Sequence, residues 1–208
     1  MNLIIDIGNT STKLAVFQRD KVLIAKTIEG FSLVIEVENL LKKFTEIKRG
    51  FLSSVGFLSE DELKILEKRL PMTVLNSTLN LPFKIHYETP DSLGADRLAL
   101  MAAAASQYSG KNVLVIDAGT CITYDFIDSK NNYLGGAIAP GIQMRYRSLG
   151  DFTSSLPTLQ KIVPKNHIGN STHDSIHSGV VNGVLYEIEG AVNEYQNKYP
   201  DLTVILTG

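Results

Sequence analysis

The sequence predicts an α/β chain made of two like halves. Three observations carry that expectation. Strand-like and helix-like runs alternate along 208 residues, enough chain for one large domain or two small ones, each with a core. The segment LIIDIGNTSTKLAVF is echoed by LVIDAGTCITYDFID, with Asp6 falling on Asp117 and Gly8 on Gly119. Each copy then reads strand, acidic glycine turn, strand, turn, strand, helices. The expected division is 1–88 and 89–208, two lobes whose acidic turns face a cleft.

The elements follow from local pattern. Met1 to Ile5 is apolar and rich in branched side chains, hence a buried strand, and Asp6 to Thr10 is its turn. Lys13 to Phe17 and Val22 to Thr27 continue a meander through a turn at Arg19-Asp20-Lys21. Phe31 to Phe44 has helical spacing through Val34, Leu40, Leu41 and Phe44, and a strand lies within Ile47 to Val55. Ser59 followed by Glu60-Asp61-Glu62 marks a helix start, with an N-cap hydroxyl and acids in the first turn; Pro71 stops that helix. Asn76 to Glu88 reads as loop and strand between the breakers Pro82 and Pro90.

In the second half, the alanine-rich Asp96 to Tyr108 predicts a helix ended by Gly110. Asn112 to Ile116, Ile122 to Ile127 and Tyr133 to Ala139 predict strands, the last two joined by a Lys130-Asn131-Asn132 turn. A helix is expected after Pro140-Gly141, another over Thr172 to Gln196, and a final strand over Leu202 to Leu206.

Composition excludes some functions. The formal net charge of −2 and the lack of a long basic run give no general pull towards nucleic acid or an anionic membrane. No apolar stretch approaches membrane-spanning length, and the opening run is broken at Asp6 without a basic segment before it, so neither a spanning helix nor a signal peptide is expected. Cys121 is the one cysteine, so no intrachain disulfide can form, which suits a reducing, cytoplasmic location.

The motifs suit phosphate chemistry. A nucleotide site needs glycine where backbone approaches phosphate, amide and hydroxyl donors, and a carboxylate for a hydrated cation. Asp6-Ile7-Gly8-Asn9-Thr10 supplies all three: Gly8 closes the turn, Asn9 and Thr10 donate, and Asp6 orients Mg²⁺ through water. Lys13 is a mobile point charge for a phosphate. Alone, this stretch reads equally as a hairpin turn; the second copy, Asp117-Ala118-Gly119-Thr120, favours the chemical reading. Gly94-Ala95-Asp96-Arg97 opens the alanine-rich helix, where N–H groups are unpaired. There Arg97 can grip a carboxylate and Asp96 can take a proton from a hydroxyl. Cys121 lacks a histidine partner in sequence and reads as a packing residue. His167, His173 and His177 raise zinc as a thought, but no third ligand of suitable geometry is indicated.

The ordered set DIGNT (6–10), GADR (94–97), DAGT (117–120) and GGAIAPG (135–141) resembles the type III pantothenate kinases, also known as Bvg accessory factor-like proteins. The resemblance implies the duplicated actin-like, sugar-kinase-like (ASKHA, ribonuclease H-like) fold. It implies ATP-dependent phosphorylation of pantothenate to 4'-phosphopantothenate, the first step towards coenzyme A, by a homodimer using Mg²⁺ and a monovalent cation, K⁺ or NH₄⁺. By motif match, Asp96 is the catalytic base. Tyr87, Gly94, Ala95, Asp96, Arg97 and Thr172 bind pantothenate. Asp6, Ile7, Gly8, Asn9, Thr10, Lys13 and Thr120 bind ATP. Asp117 holds the monovalent cation and Asp6 the Mg²⁺ through water. Family chains continue past the Leu206-Thr207-Gly208 end, so a truncation on the adenine side is expected. Two other readings stand beside this one: a non-catalytic ATP-binding accessory factor, and a phosphoanhydride hydrolase of the same fold.

Overall fold

A computed structural model describes residues 1–28 and 32–208. The expected helix start at Phe31 lies outside them. The described residues form two compact units, Met1–Leu81 with Glu88–Ala102, and Pro82–Tyr87 with Ala103–Gly208.

The first unit holds a five-stranded sheet of order β3-β2-β1-β4-β5, made of β1 (Asn2–Ile7), β2 (Thr12–Gln18), β3 (Lys21–Ile28), β4 (Arg49–Ser54) and β5 (Met72–Val74). The first three strands form the expected antiparallel meander, while β4 joins β1 and β5 joins β4 in parallel. Alternation in β1 turns Leu3, Ile5 and Ile7 into the core and leaves Ile4 and Asp6 on the opposite face. Against the inward face pack α1 (Leu33–Lys43), through Val37 and Leu40, and α2 (Glu60–Arg69), through Leu66. The α2 start is the one its sequence announces. Ser59 Oγ accepts from the Glu62 N–H (3.2 Å), and Glu62 Oε2 accepts from the Ser59 N–H (3.2 Å).

Two local expectations change. Asp6 lies inside β1, not in the turn after it, because β1 stays paired on both sides as far as Ile7, opposite Thr12 and Ser54. Its side chain is on the face away from the core, so the charge does not end the strand. The short strand β5 was not foreseen: three residues after Pro71 are too few to show a period.

The second unit repeats the plan. Its sheet order is β10-β7-β8-β9-β6, from β6 (Lys84–Ile85), β7 (Val113–Ala118), β8 (Cys121–Ile127), β9 (Asn132–Pro140) and β10 (Thr203–Thr207). Strands β7, β8 and β9 form an antiparallel meander and β10 pairs with β7 in parallel, as β4 does with β1. The duplication inferred from two short motifs is thus a duplication of topology. The β8–β9 turn is held by Asp128, whose Oδ1 accepts from the N–H groups of Lys130 (2.9 Å) and Asn132 (2.8 Å). Asn131 takes the left-handed conformation there (φ 58°). Burial opposes the Asp128 charge, but hydrogen bonds from Asn132 and Lys130 outweigh it and hold the carboxyl below its ordinary range.

Helix α3 (Ala95–Gln107) begins in the first unit and ends in the second. In the second unit follow α4 (Ile142–Asp151), α5 (Thr172–His177) and α6 (Gly183–Lys198). One π-helical segment, Ser178–Asn182, interrupts the long helix expected over Thr172 to Gln196. Helix α6 packs Val184, Ile188 and Tyr195 against the β7–β8 face bearing Ile116, Tyr124 and Phe126.

Candidate functional site

In the first unit, the β1–β2 connection is a tight loop closed by the Gly8 N–H donating to Ser11 C=O (3.0 Å). Asn9 and Thr10 at its tip are exposed. The loop leans on the chain after β4, since Ile7 C=O accepts from the N–H groups of Val55 (2.9 Å) and Gly56 (3.1 Å). Gly56 has to be glycine: a Cβ there would stand 2.4 Å from Gly8 C=O. Asp6 and Lys13 are cross-strand partners and together line a cavity of about 420 Å³ on the outer face of the meander.

The start of α3 reaches the same chain after β4. A Cβ on Gly94 would meet Val55 Cγ1 at 3.4 Å and Asp96 Oδ1 at 2.4 Å. Gly94 therefore makes room for the Asp96 carboxylate, which also accepts from the Arg97 N–H (2.8 Å). Asp96 is half-buried and Arg97 buried. So within this unit Ile7 and Gly8 on one side, and Gly94 on the other, meet the residues following β4, with Asp6 on the adjoining stretch of β1 and Lys13 across from it on β2.

In the second unit Asp117 pairs with Thr123 across β7–β8 and with Thr207 across β7–β10. The following turn is narrow: Gly119 N–H donates to Cys121 C=O (3.0 Å), and Gly141 N–H donates to Thr120 C=O (3.0 Å). A Cβ on Gly141 would stand 2.4 Å from the carbonyl oxygens of both Gly119 and Thr120. That contact gives the glycine of GGAIAPG its reason. The loop before α4 is tied down by Arg145, whose Nε donates to Pro140 C=O (2.8 Å) and whose Nη2 donates to Glu187 (2.6 Å). Tyr124 hydroxyl donates to the same Glu187 (2.9 Å); burial, then Glu187, raise its pKa far above the ordinary tyrosine value.

The unit does not bring all its expected residues together. Tyr87 follows β6 at the sheet edge, its ring stacked on Tyr133 at 6.3 Å and 4°, and Tyr133 hydroxyl donates to buried Asp125 (2.6 Å). Thr172 opens α5 and lines a different cavity of about 930 Å³ with Arg145, Leu149, Ser171, Ser175 and Ile176. This is the roomier cavity, yet of the residues singled out from sequence it holds Thr172 alone.

Two of the three histidines singled out from sequence have ordinary partners: His177 Nδ1 with Tyr146 hydroxyl and His167 Nδ1 with Tyr186 hydroxyl, both at 2.8 Å. Among the described residues no group of three His, Cys, Asp or Glu converges to hold a metal. Cys121 Sγ lies 4.0 Å from Met144 Sδ.

Two side chains that sequence reading passed over flank the acids. Ser53 is the register partner of Asp6 across β1–β4, and Thr123 that of Asp117. Both are buried, and among the described residues neither hydroxyl oxygen has a hydrogen-bond partner. The acids and hydroxyls are oxygen donors of the kind that suit a hydrated Mg²⁺ or K⁺ and not a soft metal.

Comparison with known proteins agrees with this geometry. A family profile described as Type III pantothenate kinase matches residues 2–194. A type III pantothenate kinase of Christiangramia forsetii is 47% identical over 208 residues, covering 100% of this chain and 86% of that one. Another, of Flavobacterium johnsoniae, is 44% identical and covers 100% of this chain and 85% of that one. Among solved structures, a protein described as a 2-dehydro-3-deoxygalactonokinase from Sinorhizobium meliloti superposes with a TM-score of 0.56 at 12% identity, covering 100% of this chain and 93% of that one. That likeness places the fold among the sugar-kinase, actin-like α/β proteins.

Proposed function

We infer the activity from one premise: this chain belongs to the type III pantothenate kinase family. It is a kinase that uses ATP to phosphorylate pantothenate in coenzyme A biosynthesis. The observation that carries this reading is the match over the whole of this chain at 47% identity, joined to a topology that repeats, in each unit, an acid near the end of a strand followed by a glycine turn.

Phosphoryl transfer asks a protein mainly for position and charge. The pantothenate hydroxyl oxygen attacks the γ-phosphorus of ATP, the bond to the β-phosphate oxygen breaks, and ADP leaves. The hydroxyl proton passes to Asp96, held at the α3 start with its carboxylate turned beside Gly94. Arg97 grips the pantothenate carboxylate, with Tyr87, Gly94, Ala95 and Thr172 completing the substrate contacts. Ile7 to Thr10 and Thr120 offer backbone and hydroxyl donors to ATP, and Lys13, the cross-strand partner of Asp6, offers its ammonium to the charged phosphates. Asp6 holds hydrated Mg²⁺ and Asp117 a monovalent cation; these ions neutralise phosphate charge when bound.

The working molecule in this proposal is a cytoplasmic homodimer. Exposed Met144, Leu185 and Tyr186 on α4 and α6, with Phe152 and Val163 between, support an apolar interface. Among the described residues no helix is long and apolar enough to cross a membrane.

An ADP-release assay with and without pantothenate tests the activity. Turnover that depends on pantothenate, Mg²⁺ and K⁺ or NH₄⁺ is expected. Hydrolysis of ATP at the same rate without pantothenate would reassign the chain as a hydrolase.

A further inference from the structure

Buried hydroxyls nearly always find a hydrogen-bond partner, because water that is given up must be replaced. Ser53 is 9% exposed, and its Oγ has no hydrogen-bond partner among the described residues. The adjacent Ser54 behaves ordinarily, its hydroxyl donating to Gly56 C=O (3.1 Å). Ser53 therefore departs from its neighbour, and its position is informative.

Leu52 points into the core with Leu3, Ile5 and Ile7, so Ser53 emerges on the opposite face, with Asp6. The two are direct partners across the parallel β1–β4 pair, neighbours about 4.8 Å apart along the hydrogen-bonding direction. On the other side of Asp6 stands Lys13. The row Lys13–Asp6–Ser53 thus runs across three adjacent strands on one face. In the second unit Asp117 also has a buried hydroxyl beside it with no partner among the described residues, Thr123, though on the antiparallel side that Lys13 occupies in the first unit; the counterpart of Ser53 on the parallel side, Thr207, is exposed. A buried, unsatisfied hydroxyl directly beside the strand acid of each unit points to a ligand that supplies the missing bond.

We propose that Ser53 is a further nucleotide-binding residue, whose hydroxyl takes its missing hydrogen bond from the phosphate oxygens of bound nucleotide or from the water shell of the cation beside Asp6. The claim rests on the kinase reading. In that row Asp6 only accepts and Lys13 only donates, whereas a hydroxyl does both. Ser53 can donate to a phosphate oxygen or accept from a cation-bound water without adding charge to the pair.

Calorimetric titration of ADP into the full chain, with and without Mg²⁺, tests this alongside thermal unfolding of the ligand-free protein. Ser53→Ala removes an unsatisfied group, so the ligand-free melting temperature is expected to hold or rise. Mg-ADP affinity is expected to fall about tenfold, with pantothenate KM unchanged. Ser53→Thr, which keeps the hydroxyl, is expected within about threefold of the parent. An affinity loss that persists without Mg²⁺ assigns the bond to phosphate, and one that needs Mg²⁺ assigns it to the cation's waters; both support the proposal. Unchanged Mg-ADP affinity in Ser53→Ala overturns it, as does an equal loss in Ser53→Thr accompanied by a lowered melting temperature. Failure of the unsubstituted chain to bind Mg-ADP would instead refute the kinase reading on which it rests.

Discussion

Gly141→Ala separates the structural glycines of the site from the ligand-facing ones. The backbone at Gly141 is extended (φ −70°, ψ 170°), so alanine meets no conformational penalty there. The obstacle is contact: the new methyl would lie 2.4 Å from two carbonyl oxygens, those of Gly119 and Thr120. Relief needs roughly 1 Å of movement to reach ordinary van der Waals separation. A carbonyl fixed by the Gly141-to-Thr120 hydrogen bond cannot turn aside as a flexible side chain would. Overpacking of this kind costs about 1–3 kcal/mol. In a chain of this size that lowers the melting temperature by about 2–12 °C. The segment that must move carries Thr120, and a misplacement of about 1 Å reduces kcat/KM by roughly a hundredfold. The comparison is Gly119→Ala. Its added Cβ would meet only Cys121 C=O, at 3.8 Å, an ordinary contact. That variant is expected to melt like the parent yet bind nucleotide poorly, because in the proposed function the glycine beside Thr120 is where the chain approaches ATP. Thermal unfolding and pantothenate-dependent ADP release, run on both variants, give the answer. A Gly141→Ala protein that melts and turns over like the parent would refute the reasoning.

Three further outcomes are expected. Asp96→Asn keeps an oxygen to accept the Arg97 N–H, so folding should be unaffected, while steady-state turnover falls roughly a hundredfold or more; near-parental kcat would remove Asp96 as the base. Asp128→Ala breaks the β8–β9 turn bonds and should lower stability at pH 7 by about 1 kcal/mol. Because the Asp128 carboxyl is held below its ordinary range, that contribution is present above pH ~4 and lost as pH falls through the folded value. The gap in melting temperature between parent and variant should therefore close on acidification, and a gap constant from pH 7 to pH 3 would contradict the assignment. Leu185→Asp, at a 51% exposed position on α6, should leave the secondary structure intact and halve the mass seen by light scattering; an unchanged dimer would move the interface elsewhere.

Much of the fold was legible because its signals are short-range. The alternation in Leu3-Ile4-Ile5, the Ser59 cap three residues before Glu62, and the Asn131 turn each act within a few residues of chain. The glycine turns after β1 and β7 were legible for the same reason, although Asp6 and Asp117 proved to lie in the strands before them, and the resemblance to a known family supplied the proposed roles of Asp6, Asp96 and Asp117. The β5 strand and the π segment at Ser178 were not legible, being too short or too local to leave a period.

The sequence alone determined which residues can do chemistry and which segments become strands, helices and turns, since these depend on side-chain type and near neighbours. Only the tertiary structure decided who stands beside whom: Ser53 next to Asp6, Gly141 under the 119–120 carbonyls, Gly94 beside Val55. Those pairs are set by parallel strand register and by loop packing across long stretches of intervening chain. Register depends on the whole core fitting at once, and no local pattern records it.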